Sequence, residues 1–290
     1  ITIIIQICDN NRKVRFFSDN YYAKELINKT FGCSRFIYNY YLDNISKNGY
    51  KNACSNIKDY VDNLQYTYPF LQEVDTIIIR KSCFHLDDNL KKFYNNGFGI
   101  QNIKVNMQEH YTTSAIYIEY KNKTYCNIEV DLINNKIKLP KLKWIDIRGY
   151  RNLTSINGRI VNATISREPN GKYYVSVLYK ILDVSNSKSI PTSIVGIDIG
   201  VKKLLTLSDG IVYDNNKYIE KYEKQIKRLQ KELSRKEKGS NNYYKCKHKL
   251  AIIYSKLKNA RKYYIHNITK KITDEYDVIV CEKLHTKDML

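Results

Sequence analysis

The spacing of apolar positions changes along the chain, and each change marks a different kind of structure. Two strand-like runs open it, residues 1–7 and 13–17, separated by the turn-prone Asp9-Asn10-Asn11. Ser18-Asp19-Asn20 then offers side-chain oxygens to a helix start. Beyond it Ala23, Leu26/Ile27, Thr30, Ile37/Tyr38, Tyr41 and Ile45 recur at helical spacing, which predicts one amphipathic helix over 21–48. A second helix is predicted over about 73–94, with Val74, Ile77/Ile78, Leu86, Leu90 and Phe93 on one face and Gly97 as C-cap. From 110 to 182 the period becomes two. Strands are predicted at 114–120, 125–132 and 136–138, and a hairpin joins 159–167 to 172–181 through Glu168-Pro169-Asn170-Gly171. Short strands at this density predict a small β-barrel or meander. The Ser-rich stretch 183–192 reads as a linker.

A third block follows. An apolar strand is predicted at 193–200 and another at 203–208, then an Asp209-Gly210 turn and a strand near 211–213. Two long helices come next. Ile219, Tyr222, Ile226, Leu229 and Leu233 stripe the first, and Leu250, Ile253, Leu257, Ala260, Tyr264 and Ile268 the second. Gly239-Ser240-Asn241-Asn242 breaks between them, so a helical hairpin over 216–275 is expected. A last strand, 276–281, runs into Glu282.

Length and composition narrow the partners. With 290 residues, 43% hydrophobic, the chain can hold two or three compact domains. No apolar run reaches the roughly 18 residues a membrane span needs, and no secretory leader is recognisable. The chain starts at Ile1, which suggests a trimmed N-terminus or a fragment. Lys and Arg number 49 against 29 Asp and Glu, a net charge of +20 that favours polyanions, above all nucleic acid. Within 216–275 there are 18 Lys and Arg but 6 Asp and Glu, which points to phosphate-backbone contact through residues such as Lys227, Arg228, Arg235 and Lys236. The 27 tyrosines supply rings able to stack on bases, although an AT-rich genome would also enrich Tyr, Asn, Ile and Lys. Seven scattered cysteines without a Cys-x-x-Cys pair predict a reducing, intracellular setting and no zinc site within these residues.

Candidate chemistry concentrates on two acids. Asp198 sits inside the apolar Ile194-Val195-Gly196-Ile197-Asp198-Ile199-Gly200, where a carboxylate is costly unless paired or bound to metal. The flanking glycines remove side chains and let a ligand approach the backbone. Glu282 ends the second apolar strand, Val278-Ile279-Val280-Cys281. Hydrolysis of a phosphodiester with two Mg²⁺ ions needs several hard oxygen ligands held close together, and strand-anchored carboxylates supply them. A Gly-x-Asp-x-Gly strand also occurs in actin-like ATPases and sugar kinases, but the Gly-rich loops those need downstream are missing from this sequence. The five histidines do not cluster, which argues against a catalytic role.

Ordered segments resemble one family over nearly the whole chain. Lys13-Val14-Arg15-Phe16-Phe17 and Asn28-Lys29-Thr30-Phe31-Gly32-Cys33-Ser34-Arg35-Phe36-Ile37-Tyr38-Asn39 are similar to the N-terminal signature of TnpB (OrfB) proteins, transposon-associated RNA-guided DNA nucleases. Ile137–Leu142, Ala163-Thr164-Ile165-Ser166 and Tyr173-Tyr174-Val175-Ser176 are similar to their wedge barrel. Residues 195–209, 229–236, 239–242 and 276–284 resemble the start of their RuvC domain. The resemblance implies an α+β multidomain protein: a small β-barrel (wedge) at 1–20 and 98–190, a helical recognition bundle inserted at 21–97, and a partial RNase H-like (RuvC) α/β domain at 191–290. It implies that the fourth RuvC strand lies beside the first and that Asp198 and Glu282 are catalytic metal ligands for Mg²⁺. Arg35 and Asn39 would help hold guide RNA and target DNA. A third acid and two Cys-x-x-Cys pairs forming a zinc site would follow residue 290; an encoded protein ending there would cut poorly or not at all and would be a nuclease-deficient RNA-guided DNA-binding protein or a decayed transposon relic. The expected setting is the cytoplasm or nucleoid of a prokaryote, or the host cell of a large virus.

Overall fold

The structure, a computed structural model, describes residues 4–6, 14–17, 21–48, 57–95, 114–117, 128–148, 158–181 and 191–282. It is mixed α/β and divides into two compact units, Ile1–Val184 and Ser185–Leu290. Among the described residues no helix is long and apolar enough to cross a membrane.

The first unit runs β1 (Ile4–Gln6), β2 (Val14–Phe17), α1 (Tyr21–Asn48), α2 (Ile57–Thr67), a 3-10 turn (Pro69–Glu73) and α3 (Thr76–Asn95). Six strands follow: β3 (Ser114–Tyr117), β4 (Glu129–Asp131), β5 (Lys136–Leu139), β6 (Lys143–Arg148), β7 (Gly158–Arg167) and β8 (Tyr173–Ile181). Helix α1 forms as its apolar stripe predicts, burying Ala23, Leu26, Ile27, Phe31, Ile37, Tyr41 and Ile45. The second predicted helix starts later than expected. Pro69 lacks an amide proton and opens a 3-10 turn instead, and Asp75 begins α3 by accepting a hydrogen bond from the Ile77 N–H at 2.8 Å. Helix α2 has no counterpart in the sequence-based expectation, yet Ile57, Val61 and Leu64 bury one face of it.

The eight strands form one sheet, β3-β7-β8-β2-β6-β5-β4, with β1 also on β8, and every pairing is antiparallel. The expected barrel is not closed among the described residues: the hydrogen-bonded path is open, with β3 and the three-residue β4 at its two ends. Strand β6 was not expected either; Ile145 and Ile147 turn inward while Lys143, Asp146 and Arg148 stay out. Helices and sheet share one core, from Ile27, Ile37 and Leu90 to Ile137, Ile165 and Val175. Polar ties join them. Asn28 of α1 accepts from Tyr173 at 2.9 Å and from Arg167 at 3.2 Å, and Lys141 donates to the Gln72 and Val74 carbonyls at 2.6 and 2.9 Å. The predicted Gly97 cap, residues 118–127 of the predicted strands and most of the linker fall outside the described residues.

The second unit contains β9 (Ile194–Ile199), β10 (Lys203–Leu207), β11 (Val212–Asp214), α4 (Tyr218–Ser234), α5 (Asn241–Glu275) and β12 (Val278–Cys281). The sheet order is β11-β10-β9-β12, an antiparallel meander with β12 added parallel to β9. One sheet face is closed by α5: Val195 and Leu207 pack on Ile268 and Ile272. Helices α4 and α5 form the expected hairpin around Ile226, Leu229, Cys246 and Leu257. Gly239 takes φ +93° in its turn, and Ser240 caps α5 by accepting from the Tyr243 N–H at 3.1 Å.

Candidate metal and nucleic-acid site

The two candidate carboxylates come from neighbouring strands. Val195 and Ile197 face the α5 side of the sheet, so alternation directs Asp198 to the opposite side, where its antiparallel partner is Thr206. On the other flank Val280 pairs with Gly196 and Cys281 with Ile197. Continuing that parallel register by one residue sets Glu282 beside Asp198, at the end of the sheet where β9 and β12 both finish. Both acids are exposed, and neither makes a hydrogen bond or ion pair among the described residues.

Exposure alters one part of the sequence-based argument. Asp198 lies in an apolar strand, but it does not bear a burial cost, because the side of the sheet it occupies is open among the described residues. Ile194 on the same side is 67% exposed and Val280 57%. The glycines also take on different roles. A Cβ on Gly200 would lie 2.8 Å from the Lys203 carbonyl oxygen, so this glycine is required by the turn itself rather than by a ligand. A Cβ on Gly196 would meet Ser208 at an ordinary 3.5 Å. The Gly196 N–H instead donates to the Ser208 hydroxyl at 3.0 Å.

Two polar clamps set the register that brings the acids together. Asp277 accepts from the Thr192 N–H and hydroxyl, both at 2.9 Å, and from the Ser193 N–H and hydroxyl, both at 3.1 Å. These bonds fasten the start of β12 to the start of β9, and they hold the Asp277 carboxyl below its usual range, the Thr192 N–H contributing most. Next to it, Tyr276 donates to Asp209 in the β10–β11 turn. That bond depresses the Asp209 pKa and pushes the Tyr276 hydroxyl up to about 12. Neither clamp was anticipated from sequence; each joins residues far apart in the chain.

Among the described residues no three His, Cys, Asp or Glu side chains come together as a metal-binding group. Lys202 in the turn after β9 and Lys203 at the start of β10 are exposed, and their side chains have no partner among the described residues.

The basic candidates separate by environment. Lys227 is tied to Glu223 at 2.6 Å and Lys236 to Glu232 at 3.2 Å, both one helical turn back. Arg228 and Arg235 are exposed and have no such partner among the described residues. In the first unit Arg35 and Asn39 lie one turn apart on α1, both half-buried, and the Asn39 side-chain oxygen is buried without a hydrogen bond. Beside them is an aromatic patch with little signature in the sequence. Phe36 stacks on Tyr40 at 5.7 Å and meets Tyr68 and Phe70 edge-on at 5.1 and 5.3 Å. The i,i+4 spacing of Phe36 and Tyr40 was its only legible sign.

Residues 176–290 match a family model described as "Probable transposase" (OrfB, IS605 type), and residues 20–53 match the associated "Helix-turn-helix domain". Within the latter span the structure has one unbroken helix, Tyr21–Asn48. Over 162 residues the chain is 38% identical to the "Putative RNA-guided DNA endonuclease InsQ" of Escherichia coli K12, covering 56% of this chain and 39% of that protein. Over 284 residues it is 26% identical to a "Putative RNA-guided DNA endonuclease" of Streptomyces pristinaespiralis, covering 96% of this chain and 67% of that protein. The chain thus spans well under half of the first relative and two thirds of the second.

Proposed function

Because the chain belongs to the TnpB (OrfB) family of transposon proteins, we propose that it serves RNA-guided cleavage of DNA, with Asp198 and Glu282 as the metal-binding acids. The observation that supports this reading is the parallel register of β12 on β9, which, continued by one residue, brings Glu282 level with Asp198, both exposed and without a partner among the described residues. The order of the second unit, a three-strand meander, a helical hairpin and a fourth strand parallel to the first, supports an RNase H-like (RuvC) architecture.

The donor set fits magnesium. Mg²⁺ prefers hard oxygen, keeps several of its waters, and is commonly held by one or two carboxylates together with substrate phosphate oxygens. When bound, it would supply activation of the attacking water and neutralise charge building on the scissile phosphate. The chain's own residues do the rest. Asp198 and Glu282 offer the carboxylate oxygens, and Asp277 keeps their strands aligned. Lys202 and Lys203 meet the incoming phosphates, and Arg228 and Arg235 on the hairpin bind the backbone further out. Sequence choice is delegated to pairing between guide RNA and target, so the protein needs charge and shape more than base-edge readers. Arg35 and Asn39 on α1 contact the guide or target.

The test is cleavage of a target duplex by guide-loaded protein in Mg²⁺, comparing the natural chain with Asp198→Ala and Glu282→Ala. Loss of cutting in both, with guide binding intact, supports the reading; undiminished cutting in either removes that acid from it.

A further inference from the structure

Apart from the carboxylates, the second unit contains a cavity of about 480 Å³, within the ~300–1,000 Å³ range of small-molecule sites. It forms where the chain leaves β11, at the start of α4 and against the middle of α5. Its apolar wall is Leu204 and Ile265, the latter 49% exposed. Leu204 occupies an irregularity between Lys203 and Leu205 in the β10–β11 pairing, the kind of bulge that re-aims a side chain. Tyr218 and Tyr264 form an edge-to-face pair with ring centres 5.9 Å apart, and Tyr264 is fixed by its hydroxyl donating to the Asp214 carbonyl at 2.6 Å.

The polar lining is mixed. Asn215 donates to the Val201 carbonyl at 3.0 Å, and its side-chain oxygen has no hydrogen bond among the described residues. Lys217 is 3.3 Å from Glu220, so these two charges largely answer each other. Arg261 is exposed and has no partner among the described residues, making it the cavity's uncompensated cation. Apolar and aromatic walls, amides at the edge and one guanidinium without a partner among the described residues together match a nucleobase with its phosphate.

Position adds to the chemistry. The turn held by Asn215 follows Asp198 by three residues, so the cavity opens at the sheet end where the carboxylates lie. It lies by β10 and β11 on the face of the sheet that α5 covers, whereas Asp198 and Glu282 belong to the opposite face at the same end.

We propose that this cavity holds one unpaired nucleotide of a single strand, its base against Leu204, Ile265 and the tyrosine pair and its phosphate on Arg261. The inference rests on the nucleic-acid reading of this unit but not on cleavage. A nucleotide anchored here would fix one point on the path of a strand that rounds this end of the sheet, on the face away from the two acids. The same chemistry serves DNA and RNA, since no cavity group singles out a 2′-hydroxyl.

The test uses the full chain and fluorescence anisotropy with labelled single strands: a DNA 12-mer, its RNA equivalent, and an abasic sugar-phosphate chain of equal length. The natural chain should bind base-bearing strands roughly tenfold more tightly than the abasic chain. Ile265→Trp, which fills the cavity from an exposed position, should lose that preference while keeping its affinity for the abasic chain. Arg261→Ala should weaken binding to all three, since it removes a phosphate contact; its exposed, unpaired side chain leaves nothing to unfold. A tighter complex with DNA or with RNA identifies the source of the nucleotide, and equal affinity assigns both. An undiminished base preference in Ile265→Trp, or unchanged binding in Arg261→Ala, overturns the proposal. If the natural chain binds no single strand, the nucleic-acid reading fails and this inference fails with it. If it binds but shows no base preference, the inference alone fails.

Discussion

Ile197 on β9 and Cys281 on β12 are direct partners in a parallel pairing, and an acid follows each of them in the chain. The juxtaposition of Asp198 and Glu282 therefore depends on register. A slip of one residue would send one acid to the opposite side of the sheet. The determinants of register lie at the other end of the strands, in the bonds Asp277 accepts from Thr192 and Ser193.

That dependence has a pH signature. Asp277 has a lowered pKa in the folded chain, so its contribution to stability is fully present above the ordinary carboxylate value near ~4 and is lost as pH falls through the folded value. Asp277→Ala should melt at a lower temperature than the natural chain at pH 6. The two should converge in acid, below about pH 4. Circular dichroism melts across pH check this; a constant gap down to low pH would contradict it. Cleavage should also fall in this variant, although Asp277 is not one of the two proposed metal-binding acids.

The two glycines around Asp198 should respond differently to alanine. Gly200→Ala forces a Cβ to within 2.8 Å of a backbone oxygen and should cost about 1–3 kcal/mol in denaturant unfolding. Gly196→Ala meets only Ser208 at 3.5 Å and should cost under ~1 kcal/mol. Equal costs at the two sites would contradict the account of the turn.

Within the basic hairpin the unpaired arginines should matter more than the paired lysines. Arg228→Ala and Arg235→Ala should each lower nucleic-acid affinity and reduce the slope of log affinity against log salt by about one. Lys227→Ala, which also frees Glu223, should produce a smaller loss than either. Binding titrations at several salt concentrations decide between these outcomes.

Much of the second unit was legible in the sequence because its signals are local. Asp198 and Glu282 interrupt or end short apolar strands, and Gly239-Ser240 breaks two helical stripes where the turn forms. What the sequence could not convey was pairing between distant segments. The Cys281–Ile197 register, the Asp277 clamp and the cavity around Tyr218 and Tyr264 each join residues brought together by the fold. Helix α2 went unread because three apolar residues in eleven, among Asn, Asp, Gln and Tyr, make a weak stripe, although Ile57, Val61 and Leu64 are correctly spaced. Strand β6 was missed although Ile145 and Ile147 alternate cleanly; Pro140 and the positive-φ residues Lys141 and Lys143 set it behind a turn.

The most direct test of the carboxylate pair as metal ligands is a change of ligand chemistry at Asp198. Asp198→Cys replaces a hard oxygen by a soft sulfur, which suits magnesium poorly and a thiophilic ion better. Target cleavage by guide-loaded Asp198→Cys should fall by at least about two orders of magnitude in Mg²⁺, as loss of a single electrostatic contact at a reaction centre already does. It should recover in Mn²⁺ or Cd²⁺, with Asp198→Ala recovering in neither. Full cleavage by Asp198→Cys and Asp198→Ala in Mg²⁺ would contradict the account.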